Sequence, residues 1–204
     1  MRPGVALDPQ LVIMAKRPQT GRVKTRLARG IGKAEALRFF RSESAALIRR
    51  VARDPRWQTL IAVSPDSATH GRGIWPSDIP LVPQGRGDLG ARMGRLFDEL
   101  PPGPAVIIGA DIPGITRRHI ASAFAALGAH DAVLGPAEDG GYWLVGLRRR
   151  PRIAEIFGNV RWSSEHTFAD TARNIRRQGL SLAVIETLAD IDTGDDFRKW
   201  RQTK

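Results

Sequence analysis

The sequence predicts an α/β sandwich built on a mostly parallel sheet, and three observations carry that expectation. Apolar runs of strand length, at residues 11–15, 59–64 and 105–109, are separated by longer stretches whose apolar residues recur at helical spacing. Pro, Gly, Ser and Asp cluster at the junctions, most densely at Pro101-Pro102-Gly103-Pro104. Strand and helix also alternate along most of the chain, which is the pattern of strand-helix-strand crossovers and hence of parallel pairing with helices on both faces.

Residues 11–15 form a short apolar run suited to a buried strand, and the loop after it leads into a helix-like stretch. Over residues 32–51, Ala36, Leu37, Phe40, Ala45, Leu47, Ile48 and Val51 mark one face of an amphipathic helix, stopped by Asp54-Pro55. A buried strand at 59–64, a loop at 65–76 and a short extended piece at 79–82 follow. A helix at 91–100 ends at the proline cluster, and Ala105-Val106-Ile107-Ile108-Gly109 is the clearest strand of the chain. Thr116 suits the N-cap of a helix reaching residue 127. Residues 131–134 and 142–147 flank a tight Gly140-Gly141 turn, which predicts an antiparallel element in the otherwise parallel sheet. Ser163 or Ser164 is positioned to cap a helix to about residue 178, with Gly179 closing it. A last strand at 181–185 precedes a final helix over 190–200, in which Thr193 and Asp196 have the spacing of a capping box. No repeat, low-complexity tract or linker interrupts this order, so residues 1–204 read as one domain.

The totals agree with a folded chain of 204 residues: 42% of them are hydrophobic and 26% charged. No apolar stretch approaches the ~18 residues of a membrane span. Met1-Arg2-Pro3-Gly4 leads only to a five-residue apolar run, which is not a signal-peptide pattern, and the expected compartment is the cytoplasm. The absence of cysteine excludes disulfides, thiolate catalysis and cysteine-based zinc sites. The net charge of +11 is uneven, because residues 1–60 hold fourteen Lys and Arg against four Asp and Glu, and the remainder eighteen against seventeen. Such a basic third suits nucleic acid, an acidic membrane surface or a phosphorylated small molecule. Its three aromatics, Phe39, Phe40 and Trp57, are not interleaved with the loop cations as a base-stacking platform requires.

The loop after the first strand carries Lys16, Arg17, Arg22, Lys24 and Arg26, one glycine, Gly21, and no acid. Backbone N–H groups and the positive end of a following helix favour an anion there, and the side chains add charge. It is not a Walker A loop, since Gly21 and Lys24 are separated by Arg22 and Val23. A solvated basic turn is the plain alternative.

In open α/β sheets ligands bind outside the carboxyl ends of the strands, so the residues that follow each strand matter most. Asp111 follows the strand at 105–109 and is placed either to hold Mg²⁺ beside a phosphate or to bond its own turn. Glu138 and Asp139 follow the next strand. One could act as a general base; a hairpin turn accounts equally for Asp139 and Gly140 but not for Glu138. Asp192 is a candidate second metal ligand, with Asp190 also free upstream of the capping box. Gly85-Arg86-Gly87-Asp88-Leu89-Gly90 matches a dinucleotide fingerprint literally, but the segment before it carries Pro80 and Pro83, poor for a central strand. The four histidines have no metal-ligand spacing, no Gly-x-Ser-x-Gly elbow is present, and Trp143 and Trp162 suit core packing better than stacking on a ligand.

Taken together, Lys16-Arg17-Pro18 with Gly21-Arg22-Val23-Lys24-Thr25-Arg26-Leu27, the stretch 84–93, Gly109-Ala110-Asp111-Ile112-Pro113, the stretch 135–142 and Asp190-Ile191-Asp192-Thr193 resemble selenodomain-associated transferase family 1, a bacterial family with the GT-A nucleotide-diphospho-sugar transferase fold. The resemblance runs over nearly the whole chain. It implies a three-layer α/β/α sandwich with a Rossmann-like GT-A sheet of about seven strands, a divalent metal and a nucleotide substrate. It also implies that Gln84, Asp88 and Arg92 help select the nucleotide. Glycosyltransferases of this fold usually carry Asp-x-Asp where this chain has Gly109 and Asp111, so a lone Asp is closer to the nucleotidyltransferase habit.

The leading expectation is therefore a transferase dependent on Mg²⁺ or Mn²⁺, in which a small acceptor such as a phosphorylated compound attacks the α-phosphorus of an NTP. Lys24 and Arg26 would neutralise the leaving pyrophosphate with help from Lys16 and Gly21 in the same loop, and Asp111 and Asp192 would hold the metal. With a nucleotide-sugar donor, Glu138 or Asp139 would serve as base for an acceptor hydroxyl. A non-catalytic RNA- or anion-binding module is the remaining alternative, though no nucleic-acid partner is expected.

Overall fold

The computed structural model describes residues 7–71, 73–150 and 153–202; the N-terminal residues used in the signal-peptide reading lie outside this range. The elements are β1 (Gln10–Lys16), α1 (Thr25–Ile31), α2 (Lys33–Val51), β2 (Gln58–Ser64), a short 3-10 turn (Asp66–His70), β3 (Leu81–Pro83), α3 (Leu89–Glu99), β4 (Ala105–Gly109), α4 (Arg117–Ala129), β5 (Ala132–Pro136), β6 (Tyr142–Leu147), α5 (Thr167–Arg177), β7 (Leu182–Val184) and α6 (Gly194–Gln202). They form one seven-stranded sheet in the order β3-β2-β1-β4-β6-β5-β7.

β1 is central because Leu11, Val12 and Ile13 are apolar on both faces, and all three are fully buried. It pairs in parallel with β2 and with β4, while β6 runs antiparallel to both β4 and β5. β7 is parallel to β5, and β3 to β2. One face of the sheet is covered by α2 and α4 through Leu47, Ile48, Val51, Ile120 and Leu127. The other is covered by α3 and α5 through Met93, Leu96, Phe97 and Ile175. This is the three-layer α/β/α arrangement expected, including the antiparallel strand after Gly140-Gly141.

The Thr116 cap is present, with its hydroxyl accepting from the His119 N–H and the His119 ring accepting from the Thr116 N–H. Two expected boundaries differ. α5 starts at Thr167, not at Ser163 or Ser164, because the Arg161 guanidinium grips buried Asp170 at 2.8 and 2.9 Å and ties residues 161–166 into a separate turn. The final helix starts at Gly194 rather than at 190. Thr193 and Asp196 form the capping box, with Asp196 Oδ2 accepting from the Thr193 N–H at 2.8 Å, and this leaves Asp190 and Asp192 in the preceding loop. Among the described residues no helix is long and apolar enough to cross a membrane.

Candidate active site

Every strand except β6 points the same way, so the segments following β1, β4, β5 and β7 emerge at one edge of the sheet. The connections also reverse between β1 and β4, the crevice where open α/β sheets take their ligands. Topology thus gathers residues that are far apart in sequence.

At that edge Lys24 occupies the N-cap position of α1 in a left-handed conformation, φ 45° and ψ 49°. A non-glycine residue held there is strained, and its surroundings fix it. The side chain is only 4% exposed, with Nζ 2.9 Å from Asp192 Oδ1 and 3.2 Å from Asp111 Oδ2. Burial works against the charge, but Asp111, Asp192 and Asp190 together outweigh it and raise the ammonium above its ordinary value. Arg26 stays exposed, 3.8 Å from Asp192 Oδ2.

Asp190 is the residue that sequence reasoning did not assign. Burial first, and then the charges of Asp111, Asp139 and Asp192, push its carboxyl up to about 7 against the pull of Lys24. Its Oδ1 is buried without a hydrogen-bond partner among the described residues. The Asp-x-Asp spacing was the available signal, but nothing in it separates a buried acid from an exposed one.

A cavity of about 460 Å³ opens beside this cluster, lined among others by Lys16, Lys24, Gln84, Asp88, Arg92 and Asp111. Gln84 is buried, and its amide donates to the carbonyls of Ala62 and Ala15. Asp88 caps α3 by accepting from the Ala91 N–H at 2.8 Å, and Arg92 Nε donates to the Gly87 carbonyl at 3.0 Å. Arg95, also unforeseen, donates to the carbonyls of Gln84 and Arg86 at 2.8 and 3.0 Å. Its guanidinium occupies the space where a Cβ on Gly85 would lie, and Gly85 itself is held at φ 77°, the left-handed region that favours glycine. Ser163, at φ 57°, and Tyr142 also line it.

Four expected site residues do not line this cavity: Arg26 and Asp192 stand beside it, joined to it through Lys24, and Gly21 and Glu138 lie further off. Gly21, at φ 73°, shapes a turn in the β1–α1 loop, and nothing approaches the position of its missing side chain. Glu138 is exposed after β5, while its neighbour Asp139 accepts from the Gly141 N–H at 2.9 Å and so serves the turn. Trp143 is buried in the core, its indole N–H donating to the Glu186 carbonyl.

Among the described residues no three His, Asp or Glu side chains are arranged to hold a metal ion by themselves. The donor set nevertheless fits a hard divalent cation: Asp111 and Asp192 already share one positive charge, the Lys24 ammonium, and Asp190 Oδ1 has no hydrogen-bond partner among the described residues. Mg²⁺ is commonly bound by one or two carboxylates with substrate phosphates completing the shell.

Residues 47–164 match the model of a family described as "Uncharacterized protein conserved in bacteria (DUF2064)". The chain belongs to the DUF2064 family. A 2-phospho-L-lactate guanylyltransferase of Methanopyrus kandleri is 28% identical to this DUF2064 chain over 178 residues, covering 85% of it and 82% of the relative. A crystal structure from Desulfovibrio desulfuricans G20, described as a nucleotide-diphospho-sugar transferase, superposes with a TM-score of 0.86 at 27% identity, over 96% of this chain and 87% of that one. The Rv0371C protein of Mycobacterium tuberculosis H37Rv, solved in complex with manganese, shares the fold at a TM-score of 0.56 and 14% identity, over 96% and 98% of the two chains.

Proposed function

We propose that this DUF2064 protein is a nucleotidyltransferase that joins the nucleoside monophosphate part of an NTP to an anionic oxygen of a small phosphorylated acceptor. The observation that carries this reading is the position of Lys24, buried between Asp111 and Asp192 at the rim of the 460 Å³ cavity. The similarity to a guanylyltransferase supports an NTP donor and a phosphorylated acceptor. The chain is a transferase in class, and the resemblance to selenodomain-associated transferases supports the same assignment.

In the reaction, a bond forms between the acceptor oxygen and the α-phosphorus as the bond from the α-phosphorus to pyrophosphate breaks. A phosphate oxygen is already ionised, so no residue has to take a proton from it. Lys16, Lys24 and Arg26 would bind the triphosphate and offset the charge that develops on the leaving pyrophosphate. Gln84, Asp88 and Arg92 would shape the base and ribose end of the cavity, held in place by Arg95. Asp111 and Asp192 would hold Mg²⁺ or Mn²⁺, which when bound supplies further positive charge to the phosphate oxygens. The site draws on loops of a single sheet, which supports reading the chain as one domain.

The test measures pyrophosphate release from each NTP with Mg²⁺ across a panel of phosphorylated acceptors that includes 2-phospho-L-lactate. Release is expected for at least one pair and is expected to vanish in Asp111→Ala. Absence of metal-dependent nucleotide binding in calorimetry would overturn the proposal. A second reading, glycosyl transfer from a nucleotide sugar, is favoured by the similarity to the Desulfovibrio structure. It predicts nucleoside diphosphate release instead.

A further inference from the structure

A second cavity, of about 1020 Å³, lies between α2, the start of the β1–α1 loop and residues 73–76. It accounts for much of the basic charge of the first third that the strand-edge site leaves unused. Arg17, Arg38, Arg41, Arg49 and Arg53 line it, and no carboxylate does. Arg53 is engaged by Asp78 at 2.8 and 2.9 Å, and Arg38 by Glu35 at 3.0 Å. Arg17, Arg41 and Arg49 have no acidic partner among the described residues.

Two neutral donors in the lining are also unmatched. Ser44 is 2% exposed, and its hydroxyl has no hydrogen-bond partner among the described residues. In a helix interior a serine hydroxyl commonly bonds the carbonyl four residues back, and in α2 this one does not. The indole N–H of Trp75 is likewise buried without an acceptor. The unmatched arginines that line the cavity call for an anionic complement, and an oxyanion supplies one that a guanidinium can grip with two hydrogen bonds. Leu37, Phe40, Ile48 and Trp75 add an apolar surface that a bare inorganic ion would not use.

We propose that this cavity is a binding site for a small organic oxyanion, a phosphate monoester or carboxylate carried on an apolar body, separate from the nucleotide cavity. The concavity and its size suit a small molecule better than an extended polyanion. Phe40 contributes to both cavities, so they adjoin, but Arg41, Arg49, Ser44 and Trp75 belong to this one alone.

The experiment titrates the intact protein with phenyl phosphate, benzoate and inorganic phosphate, using calorimetry and tryptophan fluorescence. Saturable binding of phenyl phosphate or benzoate, tighter than that of inorganic phosphate, is expected, and the tighter of the two names the head group. The double variant Arg41→Ala/Arg49→Ala should weaken binding roughly tenfold or more, the effect of losing about one charge-assisted contact. Arg92→Ala, in the nucleotide cavity, should change it less than about twofold. Trp75→Phe should abolish the fluorescence response while calorimetric binding persists. The proposal is overturned by the absence of saturable binding at millimolar ligand, by binding that survives the double arginine variant, or by binding that Arg92→Ala removes. Arg41 and Arg49 are exposed, so the double variant should fold, and circular dichroism checks the fold of this variant and of Arg92→Ala.

Discussion

Lys24 Nζ lies 2.9 Å from a carboxylate oxygen of Asp192, 168 residues further along the chain, and 3.2 Å from one of Asp111. The ammonium neutralises two acids that would otherwise repel each other at the rim of the nucleotide cavity. In the proposed reaction it also faces the triphosphate. Lys24→Met should therefore lower the rate of pyrophosphate release about 10²–10³-fold, the scale of removing one preorganised charge stabiliser. Arg26→Ala should cost markedly less, because that side chain is 65% exposed and only 3.8 Å from its nearest acid. Steady-state kinetics on the two variants checks the order, and equal losses would contradict it.

Arg95 acts at one remove from the cavity. Its guanidinium ties together the carbonyls of Gln84 and Arg86 and so fixes the loop that leads into α3. Arg95→Met should raise KM for the nucleotide several-fold with little change in kcat, because the loop shapes binding and not the transfer step. A fall in kcat at unchanged KM would assign Arg95 a different role.

The fold was legible because burial on both sheet faces requires near-continuous apolar runs, and β1 and β4 carry them. Asp111 could be picked out because it follows a strand, where topology exposes side chains to a ligand, and Asp192 because the capping box of Thr193 and Asp196 leaves it free. The contact of both with Lys24 was not legible, since it depends on the left-handed backbone at Lys24, which no residue preference predicts. Arg95 escaped notice because its partners are backbone carbonyls, which leave no trace in a residue pattern. The start of α5 was missed for a related reason: Ser163 and Ser164 are plausible caps locally, but the bonds from Arg161 to buried Asp170 decide where the helix begins.

Asp54, buried at the junction of α2 and β2, makes stability pH-dependent at low pH. The paired hydrogen bonds from Arg56, at 2.8 and 2.7 Å, hold its carboxyl down to about 2 from an ordinary 3.8, against the opposing effect of burial. The folded state therefore favours the ionised form. Its contribution is complete above the unfolded-state value and is lost as pH falls through about 2. Asp54→Asn should lower Tm at pH 7, and the difference from the parent protein should shrink as pH drops below about 4. A Tm difference that stayed constant from pH 7 to pH 2 would contradict this linkage.

Gly140 sits at φ 83°, and a Cβ there would lie 2.3 Å from the Glu165 carbonyl oxygen. Its own carbonyl accepts from the Phe168 N–H at 2.9 Å, which docks the start of α5 on the β5–β6 turn. Gly140→Ala combines a backbone clash with an unfavourable conformation, so urea unfolding should show a loss of at least about 1–3 kcal/mol. A neutral result would mean that residues 163–166 can withdraw from the turn without cost.

Glu138 distinguishes the two chemistries. It is exposed, lies outside the nucleotide cavity and follows β5, where an acceptor could approach the cluster of Lys24, Asp111 and Asp192. A phosphate acceptor arrives ionised and needs no base, so under nucleotidyl transfer Glu138→Gln should leave kcat within about twofold and its pH profile unchanged. A sugar hydroxyl must lose its proton as it attacks, and removing a general base then costs about 10²–10⁴-fold, with the low-pH limb of the rate profile disappearing. The neighbouring Asp139 is held in its own turn, its Oδ1 accepting from the Gly141 N–H. Measured with the acceptor that supports turnover, a silent Glu138→Gln fits the phosphate acceptor, whereas a large loss confined to kcat would move the assignment to glycosyl transfer.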